Sequence, residues 1–223
     1  AFIGITELTC IFKNQEKITV MKKLLLVVSV VFLSWGGMAQ RFEGGILAGF
    51  NGTQVAGDAY EGYHKQGILA GGYVQTDLAP AVFAGLELKF SQKGSRSRQD
   101  PKNPVPDKYI MRLNYADLPV YFGFRTNDVV SVIGGVSFGY LINSVEINED
   151  GKFPPEDQVA FNDLDVQPFV GFRFEITDRL KSDLRLAYSV LPVRGKPDND
   201  LWYWRQNQFN NVISLALYYR LDQ

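Results

Sequence analysis

Cysteine and histidine are almost missing from this chain of 223 residues, with Cys10 and His64 the single examples of each. That removes disulfide frameworks, Cys/His zinc sites and most Cys–His nucleophile pairs from consideration. An excess of either charge is missing too. At a formal net charge of -1, no basic field collects phosphates over the whole chain, so no nucleic-acid partner is expected. After Gln40 no apolar run is long enough for a membrane helix, so any passage through a membrane must be made by a closed sheet, which satisfies its own backbone groups. What the chain does have is 13% aromatic residues and 21 glycines, a composition that favours strands and tight turns. Its length suits one domain.

The one long apolar run, Leu24 to Leu33, is interrupted only by Ser29 and sits between Met21-Lys22-Lys23 and Gly37-Met38-Ala39. A basic start, an apolar middle and small residues before a cut are the parts of a Sec signal peptide. The run is shorter than the roughly 18 to 20 residues that would hold it in a bilayer as a helix. Cleavage is expected after Ala39. Cys10 precedes the run and so is not a lipidated cysteine. Residues 1–20 carry a Lys/Glu mixture that no secretory start needs, and are read as a non-native extension upstream of a natural start at Met21. The expected division is therefore 1–20 extension, 21–39 signal peptide helix and 40–223 folded domain.

Within that domain apolar residues recur with a period of two. Val82, Ala84, Leu86, Leu88 and Phe90 form one face against Phe83, Gly85, Glu87 and Lys89. Val166, Pro168, Val170, Phe172, Phe174 and Ile176 alternate with Gln167, Phe169, Gly171, Arg173, Glu175 and Thr177. Leu180 to Val190 repeats the pattern around Lys181, Asp183 and Arg185, and Ile213 to Leu221 around Tyr218 and Arg220. Alternation of this kind is the mark of strands with two different faces. With Phe42 to Phe50, Gln66 to Thr76, Tyr109 to Arg125 and Val129 to Asn143, the count comes to about eight, the smallest number for which barrel closure is familiar.

Periodicity alone does not say which face meets water. The connections do. Long segments (Asn51 to Lys65, Ser91 to Lys108, Ser144 to Leu164, Pro192 to Asn207) alternate with short ones (Asp77 to Ala81, Thr126-Asn127-Asp128, Thr177-Asp178-Arg179). Outer-membrane barrels join strands in this way, with short periplasmic turns and longer external loops. The reading is an all-β, eight-stranded, antiparallel, up-and-down transmembrane β-barrel in the outer membrane of a Gram-negative bacterium.

Glu87, Lys89, Arg173, Glu175, Lys181, Asp183, Arg185 and Arg220 then point into a lumen too narrow for a wide channel, where opposite charges are expected to pair as a structural core. Trp202, Tyr203 and Trp204 are read as interfacial aromatics. Lys93, Arg96, Arg98 and Lys102 make a basic loop of solvated charge, with lipopolysaccharide phosphates as the ligand it would meet. Glu146, Glu149, Asp150, Glu156, Asp157, Asp163 and Asp165 make an acidic loop without the spacing of a calcium loop, so no metal is expected, and no cofactor. A lipid-acting enzyme would need a serine beside His64, and Ser91, Ser95 and Ser97 are the candidates. No catalytic residues are assigned.

Leu113-Asn114-Tyr115-Ala116-Asp117-Leu118-Pro119-Val120 and the terminal Asn211-Val212-Ile213-Ser214-Leu215-Ala216-Leu217-Tyr218-Tyr219 resemble strands of the PorT-like outer-membrane β-barrel family of the Bacteroidetes. The resemblance covers essentially all of residues 40–223. It implies outer-membrane location, contact with outer-membrane lipid and lipopolysaccharide, and assembly by the barrel insertion machinery. For one branch it implies envelope or secretion partners in type IX secretion or gliding. The expected function is structural or loop-mediated binding without catalysis, with the secretion role and a lipid-acting enzyme as alternatives.

Overall fold

A computed structural model of the chain describes residues 42–58, 62–98, 109–153, 160–194 and 207–221. The signal segment and Trp202, Tyr203 and Trp204 lie outside the described residues. Nine strands follow in order: β1 Phe42–Ala56, β2 Lys65–Ala79, β3 Val82–Arg96, β4 Ile110–Arg125, β5 Val130–Asn148, β6 Gly151–Lys152, β7 Leu164–Glu175, β8 Leu180–Tyr188 and β9 Phe209–Arg220. Each long strand pairs antiparallel with its neighbours, β1 pairs with β9, and the β4–β5 pairing completes the ring. The two-residue β6 only clips back onto the end of β5, so the wall is a closed barrel of eight strands.

Local chemistry makes one end tight. In the β4–β5 turn the Asn127 carboxamide oxygen accepts hydrogen bonds from the Val129 and Val130 amides at 2.9 and 2.7 Å. In the β7–β8 turn the Thr177 hydroxyl oxygen accepts from the Arg179 and Leu180 amides at 3.3 and 3.0 Å. Short polar side chains that bond the backbone two and three residues on replace a longer loop.

At the opposite end the wall runs further than the sequence reading allowed. Asn51 to Ala56, Ser91 to Arg96 and Ser144 to Asn148 are strand rather than loop. There polar residues and glycines such as Asn51, Gly52, Gln92 and Gly94 interrupt the hydrophobic alternation, although the ladder continues. Gly94 stands in that extension at φ +131°, and a Cβ there would lie 2.1 Å from the Met111 carbonyl oxygen. Only glycine takes that conformation without strain.

Side chains separate cleanly by face. Phe50, Leu88 and Phe122 are 68%, 63% and 60% exposed, and they belong to a continuous outward apolar belt with Ile46, Val170 and Leu215. A water-soluble monomer does not expose an apolar surface of that extent. Inward, Tyr73 and Tyr218 pack edge to face at 5.2 Å, as do Phe83 and Tyr121 at 6.4 Å. Glycines opposite make room for these rings: a Cβ on Gly123 would lie 2.0 Å from the Phe83 ring. Gly123→Ala is therefore expected to destabilise the barrel by about 1–3 kcal/mol through overpacking, read as a lower urea midpoint for the heat-modifiable, folded band on electrophoresis; an unchanged midpoint would show that Phe83 moves freely.

Candidate functional site

The barrel interior is a stack of polar layers, because every second residue of each strand points into it. In the central layer Arg173 is wholly buried and forks onto Asp183, with Nε to Oδ1 at 2.6 Å and Nη2 to Oδ2 at 2.8 Å. Its Nη1 donates to Gln75 at 2.7 Å, and Tyr121 accepts from the same guanidinium at 3.3 Å. Arg185 bridges Asp183 and Glu87, donating to Glu87 at 3.0 and 2.5 Å and to Asp183 at 2.7 Å. The Tyr218 hydroxyl donates to Glu87 at 3.0 Å, and Lys89 lies 3.4 Å from it.

The next layer toward the long loops centres on Lys93, which donates to Asp117, Asp165 and Gln167 at 3.1, 3.2 and 2.9 Å. Ser189 and Asn210 donate to Asp165 at 2.6 and 2.9 Å. Across both layers the cations Lys89, Lys93, Arg173 and Arg185 face the carboxylates Glu87, Asp117, Asp165 and Asp183, four against four. Formal charge cancels, as it must where unpaired charge is held away from water. A cavity of about 20 Å³ lies between the layers, lined by Lys89, Asp117, Pro119, Gln167, Phe169 and Arg185, with room for a single water.

Three of the charges expected in the lumen lie toward its short-turn mouth. Lys181 donates to Glu43 at 2.8 Å and lies 3.7 Å from Glu175, while Arg220 is 3.9 Å from Glu43. The side chains of Glu175 and Arg220 are 30% and 37% exposed, so this group is a solvent-reached rim below the buried layers.

Lys93 is corrected by the structure: it belongs to the lumen and not to the basic loop, because β3 continues to Arg96 and keeps the parity of Glu87 and Lys89. Asp165 likewise leaves the acidic loop for the lumen, and Glu146 is an inward residue of β5. Glu146 accepts both guanidinium nitrogens of Arg194 at 3.0 and 2.7 Å as well as the Tyr109 hydroxyl. Arg194 in turn lies 4.2 Å above the Phe161 ring. Burial, and then Glu146, raises the Tyr109 hydroxyl above its ordinary range. Tyr109, Glu146, Phe161 and Arg194 thus brace three of the long connections above the belt. Asp117 and Gln75 were missed by the sequence reading, although each shares the inward parity of its strand, Asp117 with Tyr115 and Tyr121, Gln75 with Tyr73.

Among the described residues no group of His, Cys, Asp and Glu is arranged to hold a metal ion. His64 is exposed in the first long connection. Ser91, Ser95 and Ser97 are buried on or just past β3. Ser91 accepts from Asn51 at 3.0 Å, Ser97 from the Tyr109 amide at 3.0 Å, and no hydrogen bond joins any of the three to His64.

An apolar belt outside, compensated charge inside and short turns at one end define an eight-stranded integral outer-membrane barrel. Residues 38–193 match the outer membrane protein beta-barrel domain family, and the chain belongs to that family. Among solved structures it is similar to Neisserial surface protein A at 10% identity, covering 81% of this chain and 97% of that one with a TM-score of 0.50. It is also similar to Ail, the attachment invasion locus protein of Yersinia pestis, seen in complex with the heparin analogue sucrose octasulfate. There the identity is 14%, over 81% of this chain and 99% of that one, with a TM-score of 0.47. No curated protein matches it.

Proposed function

We propose that this outer-membrane barrel is a non-catalytic scaffold that presents its external rim and loops to a partner outside the cell. The observation that carries this reading is the combination of a filled lumen with a braced rim. The charge layers serve as a structural plug: paired arginine, lysine, carboxylate and tyrosine side chains lie buried across the lumen, and the cavity between the layers has about one water's volume. Above the belt, by contrast, Glu146 ties β5 to Tyr109 and Arg194 in two other connections. A rigid platform reduces the ordering cost of binding through loops. The β4 segment Leu113 to Val120, with Asp117 inward, supports placing the protein with the PorT-like branch.

The test is exchange of residues 97–109 and 149–163 for short glycine-serine connections. Cells displaying the exchanged protein are expected to lose retention on immobilised mucin, fibronectin or heparin, whichever the parent protein binds, while the barrel keeps its heat-dependent mobility shift. A reproducible single-channel conductance from the purified parent protein in planar bilayers, or retention unchanged by the exchange, would overturn the reading.

A further inference from the structure

Charge pairing in the wall has one exception, and it is confined to one corner. Of the Lys and Arg residues on the eight wall strands, Lys89, Lys93, Arg125, Arg173, Lys181, Arg185 and Arg220 each have a carboxylate within ion-pair distance. Lys65, Arg96 and Arg112 have none among the described residues. All three sit at the long-loop end of β2, β3 and β4. Arg112 pairs across the ladder with Gly94, which has no side chain, and Arg96 lies two residues further along β3. Arg96 and Arg112 are exposed, whereas Lys65 is only 5% exposed.

Beneath them runs a row of side-chain hydrogen bonds across four strands. Lys65 donates to Gln92 at 3.3 Å, Gln92 to Asn114 at 3.0 Å and Asn114 to Asn143 at 3.1 Å. Below the row the outward residues turn apolar, with Ile68, Leu88 and Leu118. The row therefore marks the upper border of the belt, where lipid headgroups begin. Arg112 and Arg96 stand close enough for their charges to act on the Lys65 ammonium. Cations crowded together with no carboxylate beside them among the described residues are stabilised by an anion supplied from outside.

We infer that the exposed Arg96 and Arg112, with the amide row of Gln92, Asn114 and Asn143 below them, form a site on the outer wall for a phosphate group of outer-leaflet lipopolysaccharide, while Lys65 reaches that row from the lumen-facing side of β2. Two guanidinium forks at headgroup height offer bidentate donors to phosphate oxygens, and carboxamides below them suit the sugar hydroxyls beside that phosphate. The assignment rests on the outer-membrane placement and not on the rim loops, so its failure leaves the loop-binding reading standing.

The test uses the full barrel, refolded in a zwitterionic detergent, titrated with fluorescently labelled lipopolysaccharide. Arg96→Gln/Arg112→Gln is expected to weaken binding by about 10- to 100-fold, the loss of charge-assisted contacts at two positions, with the heat-dependent mobility shift retained. Removing the phosphates from the lipopolysaccharide is expected to weaken binding to the unaltered protein to the same degree, a result that needs no variant to fold. Phosphatidylglycerol micelles and inorganic phosphate at equal phosphate concentration are expected to compete poorly. Equal affinity of the double variant and the parent, indifference to dephosphorylation, or full competition by phosphatidylglycerol or inorganic phosphate would each overturn the assignment.

Discussion

Glu87→Leu is expected to lower the stability of the folded barrel by about 3–5 kcal/mol, the scale set by removing one partner of a buried ion pair. Glu87 is fully buried and accepts from Arg185, Lys89 and Tyr218. Its loss leaves three carboxylates facing four cations in the buried layers. Arg185 keeps Asp183 at 2.7 Å, so the charge left without an ion partner is Lys89, whose one ion pair among the described residues is with Glu87. The apolar gain from a buried leucine, about 1.5–3 kcal/mol at most, does not offset an uncompensated ammonium together with an orphaned tyrosine hydroxyl. Urea unfolding in lipid vesicles, followed by the heat-modifiable band, measures the change. Glu87→Leu/Lys89→Met restores the balance at three against three and is expected to recover most of the loss. A single variant as stable as the parent would mean that the layers are hydrated and that the pairing contributes little.

Leu88, one residue further, is expected to tolerate charge no better, for the opposite reason. Leu88 is 63% exposed on the outer face, between Leu86 and Phe90 in the middle of the belt. Leu88→Arg places a guanidinium in hydrocarbon near the bilayer midplane, at a cost of about 2–4 kcal/mol. Val82→Arg lies on the same face of the same strand at its short-turn end, the border of the belt, where the corresponding cost is about 0–1 kcal/mol. The comparison is made in vesicles, where depth decides the outcome. In a detergent with flexible headgroups the two variants are expected to converge. Equal costs in vesicles would place the belt elsewhere along β3 and would shift the lipopolysaccharide site with it.

How much of this was legible beforehand depended on which interactions are local. Glu87, Lys89, Arg173, Asp183 and Arg185 were recognisable as one face because their neighbours Leu86, Leu88, Phe172, Leu184 and Leu186 are strongly apolar. Lys93 was not, because Gln92 and Gly94 beside it are polar and glycine, and the contrast that reveals a face is lost where the strand leaves the membrane. Asp165 stood next to an acidic loop and was grouped with it by composition, although its side chain turns inward to Lys93, Ser189 and Asn210. Lys65 gave no signal at all, since a lone lysine before a strand looks like any solvated charge.

The sequence by itself determined the two-faced strands, the alternation of short and long connections and hence the barrel, because side-chain direction along a strand and turn formation at residues such as Asn127 and Thr177 are set within a few residues. Tertiary structure alone decided which charges meet. Arg185 reaches Glu87 across 98 residues and Lys93 reaches Asp165 across 72, contacts that exist only once β1 has paired with β9 and β4 with β5. Closure also left Lys65, Arg96 and Arg112 together at one corner, since register across β2, β3 and β4 depends on every ladder around the ring and not on any one strand.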